Sequence, residues 1–373
     1  MATQLESDDL RIIRVPKKLQ FGGNFGVIPA LIQFLAQWSR HHSDGVVQTY
    51  SRGEEEEAVS TLVQSPHGLC AIYFAPNIQS ADKKELSYKK SLSYASPKIA
   101  AMQKLELTNT MLGRGVFLCC FQGAANEFLN AFYDFPEYGK LRGRAEFKIL
   151  TKRVISACYP SFPNNFSDRQ LSTISTLLYE LIKNTDEHAI TDESGARYQR
   201  NVRGVFAKFI TIQSPSGMGS DDPQLGSFLT RYVANQARKK ENSKAKNRSY
   251  NFLELTIFDT GPGLVSRWRS KKGGDGSLLD LDGEVEVVLD CFEKHASTKD
   301  EFGSGSGLQN VVDSLASLNA YLKLRTGRLC LVQDFSSVNK NKFIPKHRHS
   351  SKRELPYAAG CSYSILFPLD WES

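Results

Sequence analysis

Residues 167–189, SDRQLSTISTLLYELIKNTDEHA, constrain the chain more than any other stretch. Ser167 stands three residues before Gln170, the capping-box pattern that opens a helix with reciprocal hydrogen bonds. On a helix over Leu171–Asn184, Leu171, Ile174, Leu178, Leu181 and Ile182 share one side. Glu180, Asn184, Glu187 and His188 share another, being four, three and one residues apart. The apolar stripe is a buried face. The polar stripe has two readings. It is either the solvent side of a surface helix or the wall of a cleft. In a cleft, a carboxylate one turn from a carboxamide offers a base beside a hard oxygen ligand. Mg²⁺ suits that arrangement, because it takes one or two protein oxygens and completes its shell with phosphate and water.

Two glycine turns downstream bear on the choice. The stretch LTIFDTGPGL (255–264) is an apolar strand ending in an acid and a Gly-Pro-Gly turn. An aspartate at such a strand end can accept a hydrogen bond from an exocyclic amine, and glycines let a flat base approach the backbone. The plain reading is a strand and a tight turn. The stretch FGSGSGLQNVVDSLASL (302–318) is a G-x-G-x-G loop opening an amphipathic helix. Exposed backbone N–H groups and a helix N-terminus together make a phosphate cradle. A flexible linker is the plain alternative. No G-K-[ST] follows, so this is not a Walker A loop. No strand precedes it and its third glycine comes too early for a dinucleotide fingerprint.

Elsewhere the chain alternates. Strands are expected at Leu10–Val15, Val46–Tyr50, Leu69–Phe74 and Val116–Phe121, with helices at Val27–Trp38 and Glu54–Val63. That alternation predicts an α/β layer domain over residues 1–160. His41 and His42 follow a helix end, where a cation is favourable. The turn-rich YPSFPNNFSD (159–168) marks a junction to a second domain over 161–373. There, strands are expected at Gly204–Gln213, Phe252–Phe258, Tyr321–Thr326, Gly327–Asp334 and Ser362–Phe367, and a helix at Leu308–Leu318. Residues 214–250 and 264–302 read as loops.

The formal net charge is +7, which fits an anionic ligand without demanding one. The basic run ARKKENSKAKNRS, with Arg238, Lys239, Lys240, Lys244 and Lys246, lacks interleaved aromatics. It reads more readily as a solvated loop than as a nucleic-acid surface. Seven scattered cysteines, none in a C-x-x-C pair, exclude a zinc ribbon or disulfide framework and predict a reduced, cytoplasmic protein. The polar N-terminus is not a signal peptide, and no apolar run is long enough to span a membrane.

The order E-x3-N-x3-H-A, then D-x-G-x-G, then G-x-G-x-G-L and a helix resembles the GHKL ATPase superfamily, which groups gyrase, heat-shock-90 chaperones, histidine kinases and MutL-type repair proteins. KHASTK (294–299) is similar to a stretch before the glycine loop of MutL-type members, and GCSYSILFPL (360–369) to the family's last strand. The spacing of Glu180, Asn184 and His188-Ala189 looks closest to anti-sigma-factor serine kinases. The resemblance covers about 167–369.

It implies an α+β fold: a C-terminal α/β sandwich of the GHKL (Bergerat) type, with a mixed sheet and one helical layer, behind an N-terminal α/β domain. It implies ATP and Mg²⁺ as ligands. Asn184 matches the Mg²⁺ ligand, Glu180 the base, and Asp259 the reader of the adenine amine. Gly261 and Gly263 match the base pocket, and Gly303, Gly305 and Gly307, followed by Leu308, the phosphate loop. Thr298 and Lys299 match the lid region, and His188 the helix end. The activity implied is ATP hydrolysis or phosphoryl transfer to a protein serine or threonine in an intracellular signalling system. Alternatives are a nucleotide-gated interaction module with little turnover and a nucleic-acid-associated ATPase. A protein partner is expected, and a homodimer is compatible. No phosphoacceptor helix of the histidine-kinase kind is legible.

Overall fold

The larger of two sheets carries seven strands in the order β10-β9-β8-β11-β7-β6-β5. They are β5 (Gly115–Phe121), β6 (Val202–Ile212), β7 (Tyr250–Asp259), β8 (Tyr321–Gly327), β9 (Leu329–Asp334), β10 (Lys346–His347) and β11 (Ala358–Pro368). The smaller sheet, in the order given, joins β1 (Ile12–Arg14), β2 (Val46–Gln48), β3 (Asn77–Gln79) and β4 (Glu85–Leu86). The computed structural model describes residues 10–19, 25–52, 55–134, 139–159, 167–214, 222–239, 249–272, 279–293, 307–337, 340–349 and 354–369. The fold is mixed α+β. No helix among the described residues is long and apolar enough to cross a membrane.

In the small sheet β1, β2 and β3 run parallel and β4 antiparallel. Parallel neighbours need crossovers. Helix α1 (Val27–His41) supplies the first, and α2 (Glu55–Leu62) with α3 (Pro66–Phe74) the second. The strand expected at Leu69–Phe74 is therefore the body of α3. Ser65 caps it, accepting from Gly68 N at 3.1 Å, and Pro66 opens it. Almost every residue of α3 is buried, so its apolar run shows no helical period.

The large sheet is antiparallel at every described pairing, not mixed as expected. The mixed sheet is the small one. Both faces of the large sheet are covered, so one helical layer is also corrected to two. On one face lie α5 (Arg144–Cys158), α6 (Asp168–His188) and α10 (Gly307–Ser317), with α6 between the other two. On the other, α7 (Pro223–Lys239) packs Leu225, Phe228 and Leu229 against Phe252, Tyr321 and Leu366. α1 crosses that same face: its N-cap Gly26 lies against Lys323 and Ser364, and Gln33 Nε2 donates to Ala359 O at 2.8 Å. On α1's other side Trp38 Nε1 donates to Leu10 O beside β1, at 2.7 Å. One continuous hydrophobic cluster runs from Ile13 to Leu369.

The junction expected near residue 160 is consequently no seam, because β5 pairs with β6 across it, Phe121 opposite Val202 and Gly115 opposite Lys208. Sequence pattern does not reveal which distant strand a strand will join. Two segments read as loops also contain helices. α7 lies within 214–250, and α8 (Leu264–Lys272) and α9 (Leu281–Phe292) lie within 264–302. Helix α4 (Tyr88–Gln103), capped by Ser87, and α5 were not anticipated. Helix α6 opens as expected, with both arms of the Ser167–Gln170 capping box formed.

Gly204 sets how closely β5 approaches β6. A Cβ there would lie 2.3 Å from Leu118 O and 3.0 Å from Cys119 Cα, backbone atoms that cannot rotate aside. Gly204→Ala should lower unfolding stability in urea by about 2 kcal/mol or more. Unchanged stability would show that β5 is not seated on β6.

Candidate functional site

Two clusters form at the two ends of the C-terminal half of α6. The first is at the end of β7. Asp259 is 6 % exposed, and its Oδ1 accepts from Gly261 N at 2.9 Å and from Cys361 N at 3.3 Å. Its other oxygen takes no part in either bond. Burial pushes the carboxyl up to about 6, opposed by the two N–H donors and by Arg40 and Arg267. Glycines make this packing possible. Gly360 has φ +70°, and a Cβ on it would stand 2.2 Å from Asp259 O. A Cβ on Gly261 would stand 2.6 Å from Ala189 Cα, so the turn after β7 lies directly against the end of α6. Gly263, at φ +85°, faces Thr326, whose Oγ1 accepts from Leu264 N at 3.1 Å.

Further contacts lock the end of α6 to this turn. Asn201 Nδ2 donates to Ala189 O at 2.7 Å, and Thr260 Oγ1 accepts from Val202 N at 2.9 Å. Arg267 on α8 donates to His188 O through Nε at 3.0 Å and Nη2 at 2.7 Å, and to Thr191 O at 2.6 Å. It satisfies carbonyls that a helix C-terminus leaves open. His188 thus contributes its backbone here, while its ring Nε2 lies 3.9 Å from Glu187 Oε2.

The second cluster surrounds Glu180. The helical wheel places this residue on the polar stripe, yet it is 4 % exposed, because α5 and α10 flank α6 on both sides. Its Oε1 receives Arg144 Nη2 from α5 and Asn310 Nδ2 from α10, the latter at 3.2 Å. Its Oε2 faces Gly307, the first residue of α10. A Cβ on Gly307 would lie 3.1 Å from that oxygen and 3.9 Å from Asn184 Oδ1. The last glycine of the G-x-G-x-G loop therefore rests on the Glu180–Asn184 face, with Leu308 following it in the first turn of α10.

Of the residues singled out in the sequence, Glu180, Asn184 and Gly307 meet at one end, and Asp259, Gly261 and the His188–Ala189 backbone at the other. Gly263 borders the second group. Thr298, Lys299, Gly303 and Gly305 lie outside the described residues, as do KHASTK and Lys240, Lys244 and Lys246; Arg238 and Lys239 end α7. Sequence reasoning missed Arg144, Arg267, Asn310 and Gly360. Only Gly360 carried a signal, as the glycine opening the last strand.

From Glu180 to Ala189 the helix rises about 13 Å, at about 1.5 Å per residue. One end offers a buried acceptor and a glycine turn, and the other a carboxylate, a carboxamide and the start of a helix. Among the described residues no group of three His, Cys, Asp or Glu side chains could hold a metal. A Mg²⁺ at Asn184 would thus complete its shell with phosphate oxygens and water, which suits its chemistry. Comparison with protein-family models, with curated proteins and with solved structures finds no significant match.

Asp259 generates a pH test. Its folded value, about 6, exceeds the ordinary 3.8, so folding favours the protonated form. Stability from this group is full below about pH 4 and is lost as pH rises through about 6. The full shift corresponds to roughly 3 kcal/mol at most. Asp259→Asn keeps an oxygen for Gly261 N and Cys361 N. In urea unfolding without ligand it should be more stable than wild type by about 1–3 kcal/mol at pH 7, the gain vanishing near pH 4. A pH-independent difference would mean that Asp259 is not desolvated.

Proposed function

We propose that the chain binds Mg·ATP along α6 as a protein of the GHKL type, and that it hydrolyses ATP or passes the γ-phosphoryl to a protein serine or threonine. The observation that carries this is the placement of two distant glycine turns at the two ends of the C-terminal half of one helix: Gly307 on Glu180 and Asn184, and Gly261 on Ala189 beside Asp259. The three motifs are forty or more residues apart in sequence and need not have met. The packing of α6 beside α10 on one face of the large sheet supports this reading, whereas the antiparallel pairing of that sheet and its second helical cover depart from the mixed sheet and single layer that the resemblance implies.

In this reading Asp259 accepts a hydrogen bond from the adenine amine with the oxygen that Gly261 and Cys361 leave out. Gly261 keeps the turn low enough for the base. Asn184 offers its Oδ1 to Mg²⁺, which when bound would neutralise charge on the phosphates. Glu180 Oε2 takes the proton of the attacking hydroxyl, from water or from a protein side chain. The new bond forms between that oxygen and the γ-phosphorus, the bond to the β-bridging oxygen breaks, and ADP leaves. Arg144 and Asn310 fix Oε1, and Oε2 faces Gly307.

A second reading is favoured by the Arg144–Glu180 ion pair. With Oε1 already taken by Arg144 and Asn310, the carboxylate also suits a nucleotide-gated interaction module that turns over little.

Calorimetry with ATP, with and without Mg²⁺, tests the site. Wild type should bind ATP in a Mg²⁺-dependent manner, and Asp259→Asn should weaken binding about tenfold or more. Absence of binding to wild type removes the proposal. Glu180→Gln separates the two readings. An enzyme should keep its ATP affinity within a few-fold and lose phosphate release by about a hundredfold or more. A gate should lose nothing measurable in phosphate release.

A further inference from the structure

Arg144 lies outside every motif of the sequence, in a helix before the expected junction, and yet it touches the acid at the centre of the site. Its setting leaves it able to do more than balance Glu180. Its side chain is 55 % exposed while Glu180 beneath it is 5 % exposed, so the guanidinium forms the outer layer over a buried carboxylate. One nitrogen, Nη2, meets Glu180, whereas a guanidinium carries five N–H donors in a planar fork. The plane is held by Tyr179, whose ring centre lies 4.7 Å from Cζ, and Tyr179 is itself held edge-on by Phe147 at 5.2 Å. Phe147 is fully buried one turn along α5 from Arg144, so the backbone that carries the arginine is fixed by core packing.

The position of Arg144 relative to Gly307 follows from the shared carboxylate. Arg144 and Asn310 meet Oε1, and Gly307 faces Oε2. A phosphate seated at Gly307, where α10 begins, would therefore arrive beside a buried negative charge. Like charges in a desolvated site repel strongly. A site that is to accept a phosphate there needs a cation at the same place, with donors to spare and a geometry that matches oxyanions. A guanidinium supplies both.

We propose that Arg144 is the cation that recognises the terminal phosphate and makes the site prefer a nucleoside triphosphate to a diphosphate. This rests on the reading of the site as an ATP site. Arg144 bridges Glu180 and the terminal phosphate, screening one from the other. ADP, which ends one phosphate short, leaves the bridge unmade. The preference for ATP thus comes from an arginine contributed by the preceding half of the chain.

The test is the ratio of ATP to ADP affinity, measured by calorimetry with Mg²⁺ on the full chain for wild type, Arg144→Lys, Arg144→Ala and Asp259→Asn, with thermal unfolding to confirm that each is folded. Arg144→Ala should weaken ATP about tenfold or more while changing ADP by less than about threefold, the loss expected for a charge-assisted hydrogen bond. Arg144→Lys should fall between, keeping charge and losing the fork. Asp259→Asn should weaken both nucleotides alike. An Arg144→Ala protein in which ATP and ADP weaken equally, or in which neither changes, overturns the assignment, since a purely structural ion pair cannot sense the third phosphate. If wild type binds neither nucleotide, the ATP site itself fails and the role of Arg144 falls with it. If wild type binds and Asp259→Asn does not, while Arg144→Ala keeps the wild-type ratio, the ATP site stands and only Arg144 is wrongly assigned.

Discussion

The register of β7 is the constraint from which the site hangs. β7 lies between β6 and β11, hydrogen-bonded antiparallel to both. Leu253, Leu255 and Ile257 face the α6 side, and Phe252, Glu254 and Thr256 the side covered by α7 and the start of α1. Both faces are buried. A slip by one residue would drive Glu254 and Thr256 under α6 and turn the leucines toward polar partners. The polar partners are specific. Glu254 accepts from Gly26 N at 2.9 Å, Lys323 donates to Phe25 O, and Thr256 Oγ1 donates to Ser364 Oγ at 3.1 Å. Burial pushes Glu254 up and Lys323 down. These bonds offset part of the cost of burying charge, and they exist in one register only. With that register fixed, Asp259 stands opposite Arg203 at the strand end, and its depth under the Gly261 turn is set.

Arginines then join the parts that the register places. Arg267 closes the last carbonyls of α6 from α8. Arg40, from α1, donates to Thr260 O and lies 4.0 Å from the centre of the Tyr198 ring, reaching the same turn from the opposite face of the sheet. Arg144 reaches Glu180 from α5. Two of the three come from residues before 160. The first part of the chain therefore contributes an edge strand to the sheet and side chains to both ends of the candidate site, and it is no separate module beside a self-sufficient one.

What was legible in the sequence is what local chemistry decides. The cap of α6 needs only Ser167 and Gln170, three residues apart, and it formed as read. The glycines at 261, 263 and 307 were legible because close approach or positive φ leaves few other residues possible, and each now faces an atom that a Cβ would crowd. What was not legible depends on partners far along the chain. The direction and order of strands, the membership of β5 and the second helical cover are all decided by tertiary pairing. Leu69–Phe74 misled because a helix buried on all sides shows no stripe. Glu180 misled in the opposite sense. The wheel correctly separates it from the leucines, but its polar side is itself buried by two further helices. Arg144 gave no sequence signal at all, since an arginine at a helix start is ordinary and its partner is thirty-six positions away.

The two oxygens of Glu180 are bonded unequally, and this orients the carboxylate. One-sided bonding of a buried carboxylate also occurs at Glu284, whose Oε1 accepts from Arg328 Nε and Nη2, both from a single side chain. At Glu180, Arg144 and Asn310, from two different helices, converge on Oε1, and Oε2 is set against a glycine. Any larger residue at 307 would crowd that oxygen and shut it off. Two donors on one oxygen remove the rotational freedom of the carboxylate, and a glycine before the other keeps approach to it open. Orientation is thereby fixed before a ligand arrives, as electrostatic preorganisation requires.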